Sequence, residues 1–326
     1  MKILAKVLAG VIVLVLLLAG AGMAWFYTKY PAVGPPENVT IAATPERLAR
    51  GQYLAENVSG CLVCHSDRDW NTFSAPVIAG TKGQGGQRFG FGPEPFVLHA
   101  KNISPGGVGD WTDGELLRAI TTGVSRDGTP LFPLMPYPHY GQMAREDVEA
   151  IIVYLRSLPR IERPAPPART LNFPLPLVVR TVPAVASHQP QPPTSDRVAY
   201  GRYVVNAAVC GDCHTPMDEQ GAPRLGMDFA GGMEFMPNGT GLVRSANITP
   251  DAGTGIGTWS EDQFVEKFRA FRSTPPPRLE GAARLQNTEM PWTAYAGMTD
   301  DDLRAIYAYL RSVPPVVNRV EKFGTP

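Results

Sequence analysis

The sequence predicts an all-α fold, in which one apolar helix at the N-terminus is followed by two tandem helical domains. Three observations lead to this prediction. The stretch 7–28 carries no charge, apolar residues recur at helical spacing in the rest of the chain, and several short motifs occur twice, about 150 positions apart. Self-similarity at one spacing indicates repeated units. A length of about 150 residues is ordinary for a single domain.

The N-terminal stretch between Lys6 and Lys29 has 22 uncharged residues, enough for a helix to cross a hydrocarbon core of about 30 Å. Aromatic residues suited to a membrane interface follow at its end: Trp25, Phe26, Tyr27 and Tyr30. Because Lys2 and Lys6 precede the stretch, we expect a cytoplasmic N-terminus and an exported remainder at the bacterial inner membrane. A retained anchor (1–30) is favoured over a signal peptide cleaved near Ala21.

Helix signals recur in both halves of the remaining chain. Apolar periodicity and capping residues predict three helices per domain. In the first domain one helix begins at Thr44-Pro45, and two more cover about 112–122 and 145–157. In the second, Ser260 opens a capping box and Thr299 begins the last helix. No run of alternating residues suggests strands, so we expect an all-α structure.

These signals divide the chain into five segments. They are an N-terminal anchor or signal peptide (1–30), a first domain (44–159), a connector (160–195), a second domain (196–315) and a tail (316–326). Ten prolines between positions 159 and 193 predict no regular structure in the connector. Its stretches 175–179 and 182–185 are nevertheless apolar, so we expect the connector to pack against the domains.

All four cysteines lie in two copies of one motif, Cys-x-x-Cys-His, at 61–65 and 210–214. Two thiols three residues apart share one face of a helical turn. There they can form thioethers to one porphyrin, and the adjacent His can ligate its iron. A redox dithiol, a zinc site and disulfides are alternatives. A redox dithiol needs no His directly after its second Cys, and a four-Cys zinc site normally has its two pairs much closer together in sequence. We therefore expect two covalently bound haem c groups. The attachment residues and iron ligands would be Cys61, Cys64 and His65 for one, and Cys210, Cys213 and His214 for the other.

The second ligand of each iron separates an electron carrier from an enzyme with an open iron site. Met135 and Met290 occupy corresponding positions before the last helix of each domain, each followed by Pro and an aromatic residue. We expect their thioethers to be the sixth ligands. Met143 and Met298 are also duplicated, but their place directly before a helix favours a packing role. His139 is an alternative ligand for the first iron.

Both halves resemble class I cytochrome c domains, in which the haem motif comes early and Met-Pro precedes the terminal helix. The second half also resembles the multihaem cytochrome c subunits of membrane-bound alcohol, aldehyde and sugar dehydrogenases. The segments that carry this resemblance are Gly231-Gly232, 245–251, 253–259 and Met290-Pro291-Trp292. The resemblance covers about 44–315. It implies electron entry from a periplasmic dehydrogenase or quinol, and exit to a terminal oxidase or another carrier of the respiratory chain. Those subunits commonly carry three haem domains, whereas this chain has two haem motifs.

The function expected from these observations is electron transfer. With 30 basic and 30 acidic residues the chain has no basic excess, so nucleic acid is not an expected partner. The leading interpretation is a membrane-anchored dihaem cytochrome that passes single electrons between redox proteins and has no catalytic chemistry of its own. A dihaem peroxidase, and a subunit permanently bound inside a dehydrogenase or oxidase complex, are the alternatives.

Overall fold

The computed structural model describes residues 2–90, 96–219, 221–237 and 241–324. Met1 and the last two residues of the expected tail therefore lie outside it. The first element, α1 (Lys2–Lys29), is a single helix of 28 residues with no buried residue. Its mean hydropathy over an 18-residue window is 2.7, and within the described ranges it alone is long and apolar enough to cross a membrane.

The N-terminal half, which we define as 44–161, is helical where the periodicity predicts helices. Its elements are α2 (Pro45–Tyr53) running into a π-helical turn (Leu54–Val58), α3 (Cys61–Cys64), β1 (Arg88–Phe89), β2 (Phe96–His99), α4 (Pro105–Val108), α5 (Asp113–Thr122), α6 (Tyr137–Tyr140) and α7 (Arg145–Ser157). Thr44 caps α2, and Thr112 forms a capping box with Glu115 on α5. The predicted helices 112–122 and 145–157 are confirmed to within one residue.

The connector is more regular than its proline content predicts. It contains β3 (Thr170–Leu171) and α8 (Leu175–Thr181). A helix is possible because Pro176 lies in its first turn, where the missing N–H has no intrahelical partner to lose. The expectation that the connector packs against the rest of the chain is confirmed. Val179 is 2% exposed, and the Ser187 N–H donates to the carbonyl of Gly141 at 2.9 Å.

The C-terminal half, which we define as 196–324, has a similar order of elements, without a counterpart of α4 among the described residues and with an added 3₁₀ turn. Its elements are α9 (Arg197–Ala207), α10 (Cys210–His214), β4 (Glu234–Phe235), β5 (Leu242–Arg244), α11 (Glu261–Ser273), a 3₁₀ turn (Gly281–Gln286), α12 (Trp292–Tyr295), α13 (Asp300–Ser312) and β6 (Phe323–Gly324). The capping box of Ser260 and Gln263 is formed, and Thr299 caps α13.

The all-α prediction is incomplete, because each half also carries a small antiparallel sheet. One has the order β1-β2-β3, and the other has the order β4-β5-β6. In the first, Phe96 pairs with Leu171 of the connector. These strands have two to four residues, too few for an alternating pattern to be visible, and their partners are distant in sequence.

The core of each half is built on one close helix pair, α2 with α7 and α9 with α13. A glycine allows each contact. A Cβ at Gly51 would overlap the carbonyl oxygen of Ala150, and a Cβ at Gly201 would overlap that of Ala305. The buried apolar side chains of the two halves form one continuous cluster. The halves therefore share a core.

The π-helical turn marks a one-residue difference between the halves. Tyr53 and Tyr203 are 150 positions apart, whereas Cys61 and Cys210 are 149 apart. The extra residue of the N-terminal half is taken up where α2 widens to π geometry at Leu54–Val58, which is how helices accommodate single insertions. The two Cys-x-x-Cys-His motifs consequently occupy corresponding positions.

Candidate functional site

The four cysteines lie on α3 and α10, and all are free thiols. The first thiol of each pair is partly buried, whereas Cys64 and Cys213 are exposed. Burial raises the pKa of Cys61 and Cys210 to about 12. Redox-active dithiols have a lowered pKa instead, so these pairs do not have the electrostatics of a redox dithiol.

Neither a disulfide nor a shared zinc site accounts for the cysteines. No disulfide links them. Throughout the ranges 2–90, 96–219, 221–237 and 241–324, no group of three or more His, Cys, Asp or Glu side chains is arranged to hold a metal ion. The two cysteine pairs therefore do not form one zinc site.

The histidine of each motif is oriented by a backbone carbonyl. Nδ1 of His65 lies 2.7 Å from the carbonyl oxygen of Lys101, and Nδ1 of His214 lies 2.7 Å from that of Ala246. Because a carbonyl only accepts, Nδ1 carries the proton and Nε2 keeps its lone pair. Burial lowers the pKa of both imidazoles, which keeps them neutral. Such a fixed tautomer is typical of metal-ligating His.

A glycine packs against each of these loops and donates its N–H to the backbone carbonyl of the His itself. The Gly85 N–H donates to the carbonyl of His65 at 2.9 Å, and the Gly231 N–H donates to that of His214 at 2.7 Å. Both glycines have a φ of 72°, and a Cβ at Gly85 would overlap the Lys101 peptide. Only glycine combines this φ with such a close approach. Each His is thus held through its ring and through its own carbonyl.

The loops that carry these carbonyls are fastened by Asn102 and Asn247. The Asn102 amide donates to the carbonyl of Ile161 at 2.8 Å, and its oxygen accepts from Ser104. Asn247 repeats this arrangement with the carbonyl of Val316 at 2.8 Å. The duplicated asparagines therefore stabilise backbone turns and join each loop to the segment after the last helix.

Met135 and Met290 are only partly buried and pack against the edge of the core. Each precedes the same turn, in which its carbonyl accepts from the residue two positions later, Tyr137 or Trp292. Met143 and Met298 differ, because they are 0% and 2% exposed inside the core. The structure therefore assigns packing to the second methionine pair, as the sequence predicts, and leaves the first pair partly exposed at the edge of the core.

The Met290 loop is held by the other half of the chain. The Ser74 hydroxyl donates to the carbonyl of Met290 at 2.8 Å, and the Ser74 N–H donates to Asn287 at 2.9 Å. Arg68 forms an ion pair with Glu289 at 3.1 Å. Ser74 has a φ of 64°, a strained value for a residue other than glycine, which persists when surrounding contacts fix it.

Both motifs lie near the boundary between the halves. The charge of Glu289 raises the pKa of Cys64 and of Cys213, so both thiols lie near the same carboxylate. The charge of Cys64 itself also raises the pKa of Cys213. Groups attached at the two motifs would therefore lie close together.

Two tyrosine–aspartate contacts, exchanged between the halves, fix this arrangement. The Tyr203 hydroxyl of the C-terminal half donates to Asp147 of α7 at 2.5 Å. In the same way the Tyr53 hydroxyl of the N-terminal half donates to Asp302 of α13. Both carboxylates are buried, 5% and 6% exposed, and each has a second partner in its own half. Arg50 pairs with Asp147 at 2.8 Å. Tyr200, at the corresponding position of α9, donates its hydroxyl hydrogen to Asp302 at 2.7 Å.

His139 joins the halves through both of its ring nitrogens. Its Nδ1 lies 2.8 Å from the side-chain oxygen of Asn206, and its Nε2 lies 2.8 Å from Asp212, between the cysteines of the second motif. Both ring nitrogens are therefore engaged. The alternative ligation of the first iron by this residue loses its support.

The His139–Asp212 contact predicts a pH-dependent stability. The hydrogen bond to Asp212 raises the pKa of His139 above its ordinary value of 6.5. A His with a raised pKa stabilises the fold fully below its unfolded pKa, and this stabilisation is lost as the pH rises through the folded value. Because the pair is partly exposed, we expect at most about 1 kcal/mol. Urea unfolding should show His139→Gln losing more stability at about pH 6 than at about pH 8. An equal loss at both would contradict the assignment.

Sequence reasoning missed the residues that join the halves. Tyr53 and Tyr203 occupy corresponding positions of the two halves. The sequence around each tyrosine does not indicate that its hydroxyl reaches an aspartate of the other half. The carbonyls of Lys101 and Ala246 carry no side-chain signal at all. The donor set as a whole fits a covalent haem at each motif. Each motif offers two free thiols on one turn and an imidazole whose Nε2 has no partner among the described residues.

Comparison with known proteins identifies part of the chain. Residues 198–314 match the family model described as cytochrome c. An alcohol dehydrogenase (quinone) cytochrome c subunit of Gluconacetobacter polyoxogenes is 28% identical over 300 residues, covering 85% of this chain and 58% of its own length. A gluconate 2-dehydrogenase cytochrome c subunit of Pantoea cypripedii is 29% identical, covering 81% of this chain and 59% of its own. The chain thus spans little more than half the length of these dehydrogenase subunits.

A third relative matches most of the chain and nearly all of its own length. It is named a diheme cytochrome c-type protein, from Cereibacter sphaeroides, and is 29% identical over 315 residues. The match covers 92% of this chain and 96% of the relative. Residues 198–314 are therefore a cytochrome c domain, the kind that binds haem c covalently, in a chain that is similar over most of its length to the cytochrome c subunits of dehydrogenases.

Proposed function

We propose that the chain is a membrane-anchored dihaem c-type cytochrome that passes single electrons between a periplasmic donor and another carrier or a terminal oxidase. The observation that carries this proposal is the duplicated arrangement around His65 and His214. Each imidazole donates through Nδ1 to a loop carbonyl at 2.7 Å beside two free thiols. An electron-transfer chain of two centres needs such a site twice.

We assign the same roles to corresponding residues of the two halves. Cys61 and Cys64, and likewise Cys210 and Cys213, would hold a haem through thioethers. His65 and His214 would ligate the irons through Nε2, and Met135 and Met290 through their thioethers. When bound, the haem iron supplies a one-electron redox centre. The chain's own residues keep the imidazoles neutral and fix their orientation.

The number of centres is supported by two observations. The N-terminal half repeats every element of the site that the cytochrome c domain at 198–314 contains, down to the glycine at position 85. The relative that matches along nearly all of its own length is named a diheme protein. We therefore infer two tandem class I cytochrome c domains, over 44–159 and 196–315.

Transfer between the two centres would use their fixed proximity. Glu289 lies near Cys64 and Cys213, and the reciprocal contacts of Tyr53 and Tyr203 hold the halves in one orientation. Because the path crosses a packed boundary rather than a flexible joint, its length does not vary as the molecule moves. A steady separation gives a steady rate of electron exchange.

The membrane assignment is supported by α1. With a rise of about 1.5 Å per residue, its 28 residues extend about 42 Å, longer than a hydrocarbon core of about 30 Å. The positive-inside rule favours a cytoplasmic N-terminus and periplasmic haem domains at the inner membrane.

A permanently bound subunit is the second candidate function. The dehydrogenase relatives are named as cytochrome c subunits of alcohol and gluconate dehydrogenases, which favours a dehydrogenase as the donor. Purification of the full-length chain from its host in mild detergent separates the two cases. A stable complex that survives gel filtration supports the bound subunit, and a single monodisperse chain supports the carrier.

The test of the electron-transfer role is the reaction of the reduced protein with carbon monoxide. If thioethers close both irons, we expect no rapid spectral change at either haem. The dihaem peroxidase alternative needs one exchangeable site. Rapid stoichiometric carbon monoxide binding to one haem would therefore favour the peroxidase and count against the carrier.

A further inference from the structure

The connector contacts the outer end of α1. This contact sets the depth of the connector relative to a membrane that α1 would cross. Arg180 of α8 donates to the carbonyl of Tyr30 at 2.6 Å, and its guanidinium stacks on Tyr27 at 4.6 Å from the ring centroid. These aromatic residues follow the apolar stretch, where the headgroup region of a bilayer lies. A segment that contacts them lies at the same depth.

The connector also exposes apolar side chains at this place. Phe173 is 83% exposed, Val178 is 48% exposed and Val185 is 73% exposed. These residues flank or belong to α8, whose Val179 is buried against the protein. Large apolar side chains on a segment beside a membrane anchor suit insertion between lipid headgroups.

The charges of this region match lipid phosphates. Lys29 is the last residue of α1, and Arg169 is exposed in the connector. Arg180 lies near Arg169, since the charge of Arg180 helps to lower the pKa of Arg169. Asp127 is the acidic group that acts on Arg169. Three cations against one carboxylate give a positive local balance, which attracts headgroup phosphates.

The N-terminal half is held firmly to the same end of α1. The Ile41 N–H donates to Asp113 at 2.8 Å, and Arg145 pairs with Glu37 at 2.7 Å. Gly114 lies so close to the carbonyl of Glu37 that a Cβ there would overlap it. The segment after α1 is therefore packed on the N-terminal half and does not form a free stalk.

We propose that the connector segment 169–185 lies on the outer surface of the membrane, with Phe173, Val178 and Val185 among the lipids, so that the N-terminal half faces the bilayer. This inference rests on the membrane anchor of the proposed function. It makes the first haem site the membrane-proximal one and leaves the C-terminal half directed toward the periplasm. The chain would then touch the membrane at two places, α1 and the connector.

Spin-label accessibility of the full-length holoprotein in phospholipid nanodiscs tests this proposal. Single nitroxide labels are placed at Phe173→Cys, at Leu14→Cys inside α1, and at Leu225→Cys in the C-terminal half, where the native leucine is fully exposed. Accessibility to lipid-soluble oxygen is compared with accessibility to a water-soluble nickel complex. We expect an oxygen-to-nickel ratio several-fold higher at position 173 than at position 225, and highest at position 14.

The outcomes separate the two proposals. If position 14 lies in lipid but position 173 matches position 225, the surface contact of the connector is wrong and the anchor stands. A label at 173 shielded from both reagents would show a protein cover, such as a second copy, and would also overturn the proposal. If position 14 itself matches position 225, the anchor of the proposed function fails.

Discussion

Replacement of Met290 by alanine is expected to lower the reduction potential of the second haem and open its iron to carbon monoxide. A thioether opposite His raises the potential, and axial ligands tune haem potentials over a range of roughly 0.8 V. Loss of the ligand should therefore shift the potential by a sizeable part of that range. Met135→Ala should do the same to the first haem. The measurement is a potentiometric titration with visible spectra, followed by carbon monoxide addition.

Met298→Leu is the matched control for this experiment. Met298 comes eight positions after Met290 in the same half and is 2% exposed in the core. A swap of similar volume there costs less than about 1.5 kcal/mol and should leave spectra and potential unchanged. The ligand assignment would be wrong if Met290→Ala kept the parent spectrum, or if Met298→Leu changed it.

Replacement of Asp147 by alanine is expected to cost about 3 kcal/mol of the free energy of unfolding, because the buried Tyr203 hydroxyl and the partly buried Arg50 guanidinium both lose their acceptor. Arg50 would lose its ion pair at 2.8 Å, and the Tyr203 hydroxyl would lose its acceptor at 2.5 Å. Tyr203→Phe removes only contacts between the halves, namely the hydrogen bond to Asp147 and the one that the Ala144 N–H donates to the Tyr203 hydroxyl at 3.2 Å. It should cost about 1–3 kcal/mol, because a buried carboxylate loses a donor. Urea unfolding followed by circular dichroism measures both.

Asp262→Ala is the control for the aspartate substitution. Asp262 also pairs with an arginine, Arg304, at 2.9 Å, but its side chain is 82% exposed. An exposed pair contributes at most about 1 kcal/mol. We also expect Tyr203→Phe combined with Tyr53→Phe to lose more stability than either single variant, with one unfolding transition retained, since the shared core and the contacts of Ser74 and His139 still join the halves. A double variant that unfolds in two separate transitions would mean that the tyrosine contacts are the main coupling between the halves.

The parts of the fold that the sequence predicts are those with local signals. Thr112, Ser260 and Thr299 cap helices that begin where their side chains indicate. The sheets could not be predicted, because β2 owes its second partner to Leu171, more than seventy positions away. The helix in the connector was also missed, because a proline in the first turn of a helix looks the same in sequence as one that breaks it.

The candidate site likewise combines residues that the sequence predicts with groups that it does not. The cysteines, histidines and methionines have motifs that can be read directly, whereas the groups that orient them do not. A backbone carbonyl at position 101 or 246 accepts from an imidazole only because Gly85 or Gly231 brings the chain close. The contact of His139 with Asp212 depends on how the halves meet, and the sequence of one half contains no signal for it.

The number of covalently attached haems tests the account most directly. The full-length chain, produced in a host that attaches haem c, should have an intact mass larger than that of the polypeptide by two haems. Peptides containing Cys61 with Cys64, and Cys210 with Cys213, should each carry one of them. A mass equal to the bare polypeptide, or a single haem confined to the second motif, would contradict the account of two equivalent electron-transfer centres.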